Sequence, residues 1–303
     1  MLSKEETKQK IKDLGWWYMH FQFPNGVKTG TGELPGYDAD IRWNVIEPFV
    51  PKDLSGKTCL DLGGNAGYFS IQMKLRGAKR CVLVEPFDIY LKQAEFSAEQ
   101  FGVELETVNE DAHTYCLTTE ERFDYIIFLG LFYHLKYPGL VLDRLAEMTK
   151  ERIYIQSAMI GPGTKTGEFK PKQNYERWKE EDLLENPSYP KLTFIETLYN
   201  NDPTNWWLPN QEGLAAMVRS AGLKIIERPH FEIIIAEPEY PFGKTIYAKL
   251  VFPNYGKKNN LVYPRLQSYE ERSKSTRAQE TETAKEIAGR CGRIFVEIAC
   301  YFS

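Results

Sequence analysis

The chain has 303 residues, 42% of them hydrophobic and 14% aromatic, with a formal net charge of −4 and a pI of about 5.8. That length holds one sizeable core with insertions, or two small domains, and the acidic balance excludes a protein drawn to nucleic acid by its overall charge. No apolar run approaches the roughly 18 residues of a membrane span, and the charged start MLSKEETKQK has no apolar segment behind it, so a cytoplasmic protein with no membrane partner is expected.

Residues 2–13 read as a polar helix. GWWYMHFQFPNGVKTGTG (15–32) alternates around a Pro-Asn-Gly turn and reads as short strands or a hairpin. A helix is expected around Ile41–Phe49. From Lys57 the pattern alternates: KTCLDL is a buried strand, Gly67–Arg76 a helix ended by Gly77, and RCVLVEP a second strand. Asp88–Phe101 reads as a helix with a good N-cap, ELETVNED as a third strand, RFDYIIFLG as the fourth, Tyr137–Lys150 as a helix and RIYIQSA as the fifth strand. Residues 158–210 break the rhythm, being rich in Gly, Pro, Asn and Lys, and read as a lid-like insertion. A helix at Gln211–Ser220, ended by Gly222, precedes LKIIERPHFEIIIAEP and KTIYAKLVF, expected as antiparallel closing strands.

The expected fold is therefore α/β, a Rossmann-like, doubly wound, mostly parallel sheet with an antiparallel last strand. Expected boundaries are an N-terminal helix and hairpin cover over 1–45, the Rossmann-like domain over 46–252, and a C-terminal tail over 253–303. The five cysteines (Cys59, Cys81, Cys116, Cys291 and Cys300) form no CxxC pair and read as reduced thiols, the first two in strand cores. No metal site is expected.

The first strand runs into DLGGNAGYFS, a glycine loop. A phosphate loop needs GxxxxGK[ST], and neither the lysine nor the hydroxyl is present. A dinucleotide loop needs GxGxxG; counted from Gly63, its second and third glycines fall on Asn65 and Tyr68. What remains is Asp61 at a strand end, then Gly63, three residues and Gly67, which suits a nucleoside without phosphates approached closely by backbone. Asp61 can help hold an ammonium. Glu85 ends the second strand, where a carboxylate can accept from both ribose hydroxyls. Asp111-Ala112 ends the third, where an acid can take an adenine amino group. An amino acid, a ribose and an adenine with no phosphate describe S-adenosylmethionine.

DLGGNAGYFS, LVEP, NEDA and FLGLFYHLKYP together resemble the class I S-adenosylmethionine-dependent methyltransferases, and more narrowly the group related to the tRNA wobble-uridine carboxymethyltransferases, from about Asn25 to Phe252. The resemblance implies a cofactor site that includes Arg42, Asp61, Gly63, Asn65, Gly67, Glu85, Asp111, Ala112, Leu129 and Tyr133. In the related enzymes the Tyr of the Tyr-His pair touches the cofactor near its reactive end. Tyr133 and His134, at the carboxyl edge of the sheet, are thus the catalytic candidates, His134 as a base for an oxygen or nitrogen acceptor. Trp206 and Trp207 are substrate candidates, since two adjacent tryptophans cannot both face inward on one strand. His20, His113 and His230 read as structural.

The wobble-uridine enzymes use a carboxylated cofactor, whose extra carboxylate demands cations. Of the three basic positions that the resemblance places around it, two fall near Met19 and Tyr247, and only Arg42 stays basic. The long N-terminal extension of those enzymes is also not seen. Ordinary S-adenosylmethionine is therefore expected rather than carboxy-S-adenosylmethionine, with methyl transfer to an unidentified, small-molecule acceptor. A tRNA acceptor is the less favoured alternative, because the chain is acidic and shows no dense basic segment. A non-catalytic cofactor-binding or interaction module is the third reading.

Overall fold

The computed structural model describes residues 2–30, 36–160 and 189–239. The expected first helix is α1, Lys4–Asp13. Its capping box joins the Ser3 side chain to the Glu6 N–H and the Glu6 side chain to the Ser3 N–H. The hairpin that follows turns at Phe23–Val27, where the Phe23 N–H donates to the Val27 carbonyl (2.8 Å), and Gln22 bridges Lys28. β1 (Met19–His20) pairs in parallel with β2 (Tyr37–Asp38), which leads straight into α2 (Ala39–Ile46) and a 3-10 turn over Glu47–Phe49.

The alternating region gives β3 (Thr58–Leu62), α3 (Tyr68–Leu75), β4 (Arg80–Val84), α4 (Asp88–Phe101), β5 (Glu106–Val108), α5 (Ala112–Thr118), β6 (Phe123–Leu129), α6 (Pro138–Met148) and β7 (Thr149–Gln156). β8 (Leu192–Phe194) and β9 (Trp207–Pro209) form a small antiparallel pair within the insertion. α7 (Gln211–Ser220), β10 (Leu223–His230) and β11 (Ile233–Pro238) complete the described chain. One expectation is corrected. The N-cap of α4 is Phe87, with no side-chain cap; Asp88 lies inside the first turn, and its carboxylate accepts from the Asn109 amide instead. The expected strand KTIYAKLVF, Tyr247 within it, Cys291, Cys300 and the tail lie outside the described residues.

The seven-stranded sheet has the order β10-β11-β7-β6-β3-β4-β5. β11 runs antiparallel to both neighbours; every other described pairing in this sheet is parallel. The inner strands β3, β4, β6 and β11 and the second half of β7 are buried on both faces, as a sheet covered on two sides requires, while the edge strands β5 and β10 are partly exposed. One face packs β3, β6 and β7 side chains such as Leu60, Ile126 and Ile153 on α5, α6 and α7. The other packs Cys59, Ile127 and Tyr154 on the aromatic N-terminal segment, with Trp17, Phe21 and Phe23 at its centre. Cys59 and Cys81 face each other in register across β3 and β4, and with Cys116 they are buried free thiols.

The strand order reverses between β3 and β6. At such a switch point the loops leave in opposite directions and open a crevice at the carboxyl edge. The loops that meet there are 63–67 and 130–134: a methyl group on Gly63 would sit 2.9 Å from Leu131 Cδ2.

Candidate active site

The loop after β3 is shaped by close packing. Gly63 (φ +74°) donates its N–H to the Val84 carbonyl at 2.8 Å, and Asn65 adopts φ +47°, the left-handed region asparagine tolerates. A Cβ on Gly64 would lie 2.6 Å from Leu83 Cγ and 3.0 Å from Asp61 Cγ. Gly67 (φ +80°) precedes α3, where a Cβ would press on Ala94 at 3.1 Å. The backbone at this edge is therefore held between β4, α4 and the β6 loop, in a form that leaves no room for side chains at these glycines.

Two carboxylates stand over this loop. Asp61 is 4% exposed, and one of its oxygens accepts from the Ser70 N–H (3.1 Å) and hydroxyl (2.8 Å). Glu85 is 5% exposed; its Oε2 accepts from the Asn65 N–H at 3.1 Å and its Oε1 from the Phe87 N–H at 3.4 Å. Burial pushes Asp61 up to about 6, against the pull of the Ser70 bonds. Burial likewise pushes Glu85 up to about 7, with the neighbouring Asp61 charge adding to the rise. No Lys or Arg among the described residues forms an ion pair with either. Asp111 has a different setting. It caps α5, accepting from the N–H groups of His113 (3.0 Å) and Thr114 (3.1 Å), and stays half-exposed at the tip of the third strand. Ala112 is the buried first residue of α5, and Leu129 the buried last residue of β6.

Tyr133 and His134 form a 3-10 turn just after β6. The Tyr133 phenol is pushed up to about 12, first by burial, then by Tyr18; Arg42 opposes the rise. His134 Nδ1 lies 2.8 Å from the Thr204 hydroxyl, and burial lowers the imidazole below its ordinary value. Arg42, on α2, stacks over the Tyr37 ring at 4.2 Å and reaches Gly130, where a Cβ would meet its Nη1 at 3.0 Å. Beside it Gln156, 1% exposed, donates to Glu232 at 3.0 Å and leaves its own carbonyl oxygen buried without a partner.

The two tryptophans are held differently from each other. The Trp206 N–H donates to the Tyr133 carbonyl (2.8 Å), and its ring lies 5.0 Å from the Lys136 ammonium. The Trp207 indole donates to the Lys136 carbonyl at 3.0 Å. Both are half-buried and tie the insertion to the Tyr133-His134 turn.

Sequence reasoning missed Tyr18, Tyr37, Gln156, Asp202, Thr204 and Glu232. Tyr18 is the most telling. Its ring packs edge-on against Tyr37 (5.2 Å), and its phenol adds to the upward shifts of both Tyr90 and Tyr133. The alternation of WWYMHF signals a strand but not which ring faces the cleft.

A sheet of this order with one reversed strand, a glycine loop after β3 and an acid at the tip of β4 defines the class I methyltransferase fold, the fold of S-adenosylmethionine-dependent enzymes. Residues 40–228 match the family described as a methyltransferase domain, more than half of the chain, and the chain belongs to that family. Two similar proteins are the tRNA U34 carboxymethyltransferases of Vibrio vulnificus strain YJ016, 27% identical over 146 residues, and of Aliarcobacter butzleri, 31% identical over 136 residues. The first match covers 45% of this chain and 42% of the relative, the second 41% and 40%. The chain thus spans less than half the length of these relatives. Among solved structures, the N-terminal domain of EvdMO1 with SAH bound superposes with a TM-score of 0.53 at 18% identity, covering 78% of this chain and 96% of that one. The same domain in the presence of SAH and D-fucose gives 0.52 at 20%. These likenesses are of fold. Among the described residues, no helix is long and apolar enough to cross a membrane.

Proposed function

We propose that the chain binds S-adenosylmethionine in the crevice between the β3 and β6 loops and transfers its methyl group to an oxygen or nitrogen of a small-molecule acceptor. The observation that carries this reading is the pair of buried carboxylates, Asp61 and Glu85, at the tips of adjacent strands with no ion-pair partner among the described residues. Two such groups are costly in the free protein and are relieved by a ligand that brings an ammonium and hydroxyl donors. The cradle fits that ligand: backbone made close by Gly63, Gly64 and Gly67, Glu85 for the ribose, Asp61 for the ammonium, and Asp111 with Ala112 and Leu129 at the rim of the base and linker.

The cofactor supplies an electrophilic methyl on a sulfonium. Held by the glycine loop, Asp61 and Glu85, it would offer that methyl to the acceptor's lone pair, with the sulfur as the leaving group. The chain's contribution is alignment and exclusion of water. Tyr133, Trp206 and Trp207 narrow the reactive end, and Arg42 stands ready for an anionic group there. His134, kept neutral by burial, takes the acceptor's proton.

Calorimetry with S-adenosylmethionine tests the reading. Glu85→Ala removes up to two charge-assisted hydrogen bonds of roughly 1.5–3 kcal/mol each, so binding weakens by about 100-fold or more. Wild-type protein that binds no cofactor, or a Glu85→Ala variant that binds as well as wild type, overturns it and favours a non-catalytic module. The relatives' names keep a tRNA acceptor as the second reading. Tighter binding of carboxy-S-adenosylmethionine than of the ordinary cofactor, or RNA retained through purification, would favour it. Met19 speaks against the carboxylated cofactor: it is buried in the N-terminal core, where a lysine would be the cation sought.

A further inference from the structure

The segment that faces His134 is built with more care than a lid edge requires. Tyr199 and Asp202 exchange both backbone hydrogen bonds (3.3 and 3.0 Å), and Asn200 and Asn201 between them have φ of +52° and +59°. This is the two-residue hairpin whose central residues are both left-handed, and asparagine is among the few residues that adopt it. Asn205, 6% exposed, closes the segment by donating to the carbonyls of Tyr199 (3.0 Å) and Asp202 (3.3 Å). The Trp206 N–H then fixes the segment to the Tyr133 carbonyl.

Within this frame one carboxylate oxygen collects two bonds. Asp202 Oδ1 accepts from the Thr204 N–H at 2.8 Å and from the Thr204 hydroxyl at 2.5 Å. The hydroxyl proton is thereby committed to Asp202, and Thr204 Oγ1 offers His134 Nδ1, 2.8 Å away, only lone pairs. The Thr204 carbonyl, a second acceptor, lies 3.4 Å from the same nitrogen. Two acceptors facing Nδ1 require the proton on Nδ1, which leaves the lone pair on Nε2. Among the described residues Nε2 has no hydrogen-bond partner, and it is not one of the polar atoms sealed from solvent.

We propose that Asp202 and Thr204 are positioning residues that hold His134 as its Nδ1–H tautomer and so present Nε2 as the proton acceptor. The inference rests on the reading of His134 as the base. The proton leaves the acceptor's oxygen or nitrogen and arrives on Nε2. The imidazolium so formed is balanced by the Asp202 carboxylate through the Thr204 hydroxyl, while Nδ1 keeps its hydrogen throughout.

Nitrogen-15 NMR of the labelled full chain tests this without knowledge of the acceptor. The chain has four histidines, and His134→Gln identifies the signals of one by deleting them. The expected result is an Nδ1–H imidazole at position 134 in the wild type. Thr204→Val, which removes the hydroxyl at similar volume, inverts the preference to Nε2–H. Thr204→Ser, which restores the hydroxyl, returns it. A wild-type His134 in the Nε2–H form overturns the proposal, as does a tautomer that is the same in Thr204→Val. Failure of the methyltransferase reading shows separately, as absence of S-adenosylmethionine binding in calorimetry whatever the tautomer.

Discussion

The two edges of the central sheet treat charge in opposite ways. At the amino edge almost every strand brings a charge and meets its partner: Lys57 with Glu151 (2.5 Å), Arg80 with Glu106 (2.6 Å) and with Glu121, Arg152 with Glu237 (2.7 Å), and Lys150 with Asp124 (3.8 Å). At the carboxyl edge Asp61 and Glu85 are buried on neighbouring strands, and Arg42 stands beside Gly130. No ion pair among the described residues joins them. The first edge is complete as it folds. The second buries Asp61 and Glu85 with no ion-pair partner among the described residues, a pattern more typical of ligand sites than of stabilising networks. The charges of the amino edge are partly exposed, whereas Asp61 and Glu85 are buried, so a change at either of them is felt more.

The largest effect expected from a single atom is at Gly64. The added Cβ of Gly64→Ala would lie 2.6 Å from the branch carbon of Leu83, itself fully buried, and close to Asp61. Neither side can yield by rotating a flexible end, so the cost is about 2–4 kcal/mol, read as a lower urea midpoint. Cofactor affinity falls with it, since the same atoms carry Asp61. A variant as stable as wild type would mean that the loop is not packed as described.

The next effect is one of pH, and its sign runs against the usual carboxylate. Glu85 is raised from its ordinary 4.5 to about 7, and Asp61 from 3.8 to about 6. A group raised on folding contributes stability that is full below its unfolded value and is lost as pH climbs through its folded one. The ligand-free protein therefore loses stability from these two groups between about pH 4 and pH 7. Glu85→Gln keeps an oxygen for the Asn65 N–H and removes the charge. At pH 8 it is expected to be more stable than wild type by about 1–3 kcal/mol, with the two converging near pH 4. The same substitution weakens cofactor binding. Denaturation across pH decides: a variant less stable at pH 8, or one with the wild-type pH slope, would show that Glu85 is already compensated.

Much of this contrast was legible in the chain itself. Apolar runs ending in Asp61 and Glu85, and a loop whose spacing fits neither phosphate pattern, mark β3, β4 and the crevice, because each depends on residues close in sequence. The remainder depends on contacts that local pattern does not encode. Tyr18 and Tyr37 reach the site from segments before the sheet begins, and Asp202 and Thr204 from an insertion without periodicity. The Asn-Asn pair at 200–201 is a turn signal, but nothing in it says that the turn faces His134. Asp88 failed for a related reason. Its residue type suits an N-cap, but the strand–helix junction places Phe87 in that position and gives the Asp88 carboxylate to Asn109.

The smallest effect, and the one that best separates the two edges, is at Arg80. Its guanidinium serves Glu106 in bidentate fashion (2.6 and 2.7 Å) as well as Glu121, with about a third of the side chain exposed. Both acids lie near water, so Coulomb attraction is screened and the network is worth about 1 kcal/mol. Arg80→Met keeps part of the packing on Phe123 but leaves the two carboxylates facing each other. The urea midpoint should drop by a correspondingly small amount. Raising salt should shrink the difference, because the Debye length falls to about 3 Å near 1 M. Affinity for S-adenosylmethionine should not change, since the whole length of β4 lies between Arg80 and Glu85. A shift in affinity on Arg80→Met would mean that the edges are coupled through β4, and that charge at the amino edge helps set the strand on which Glu85 is carried.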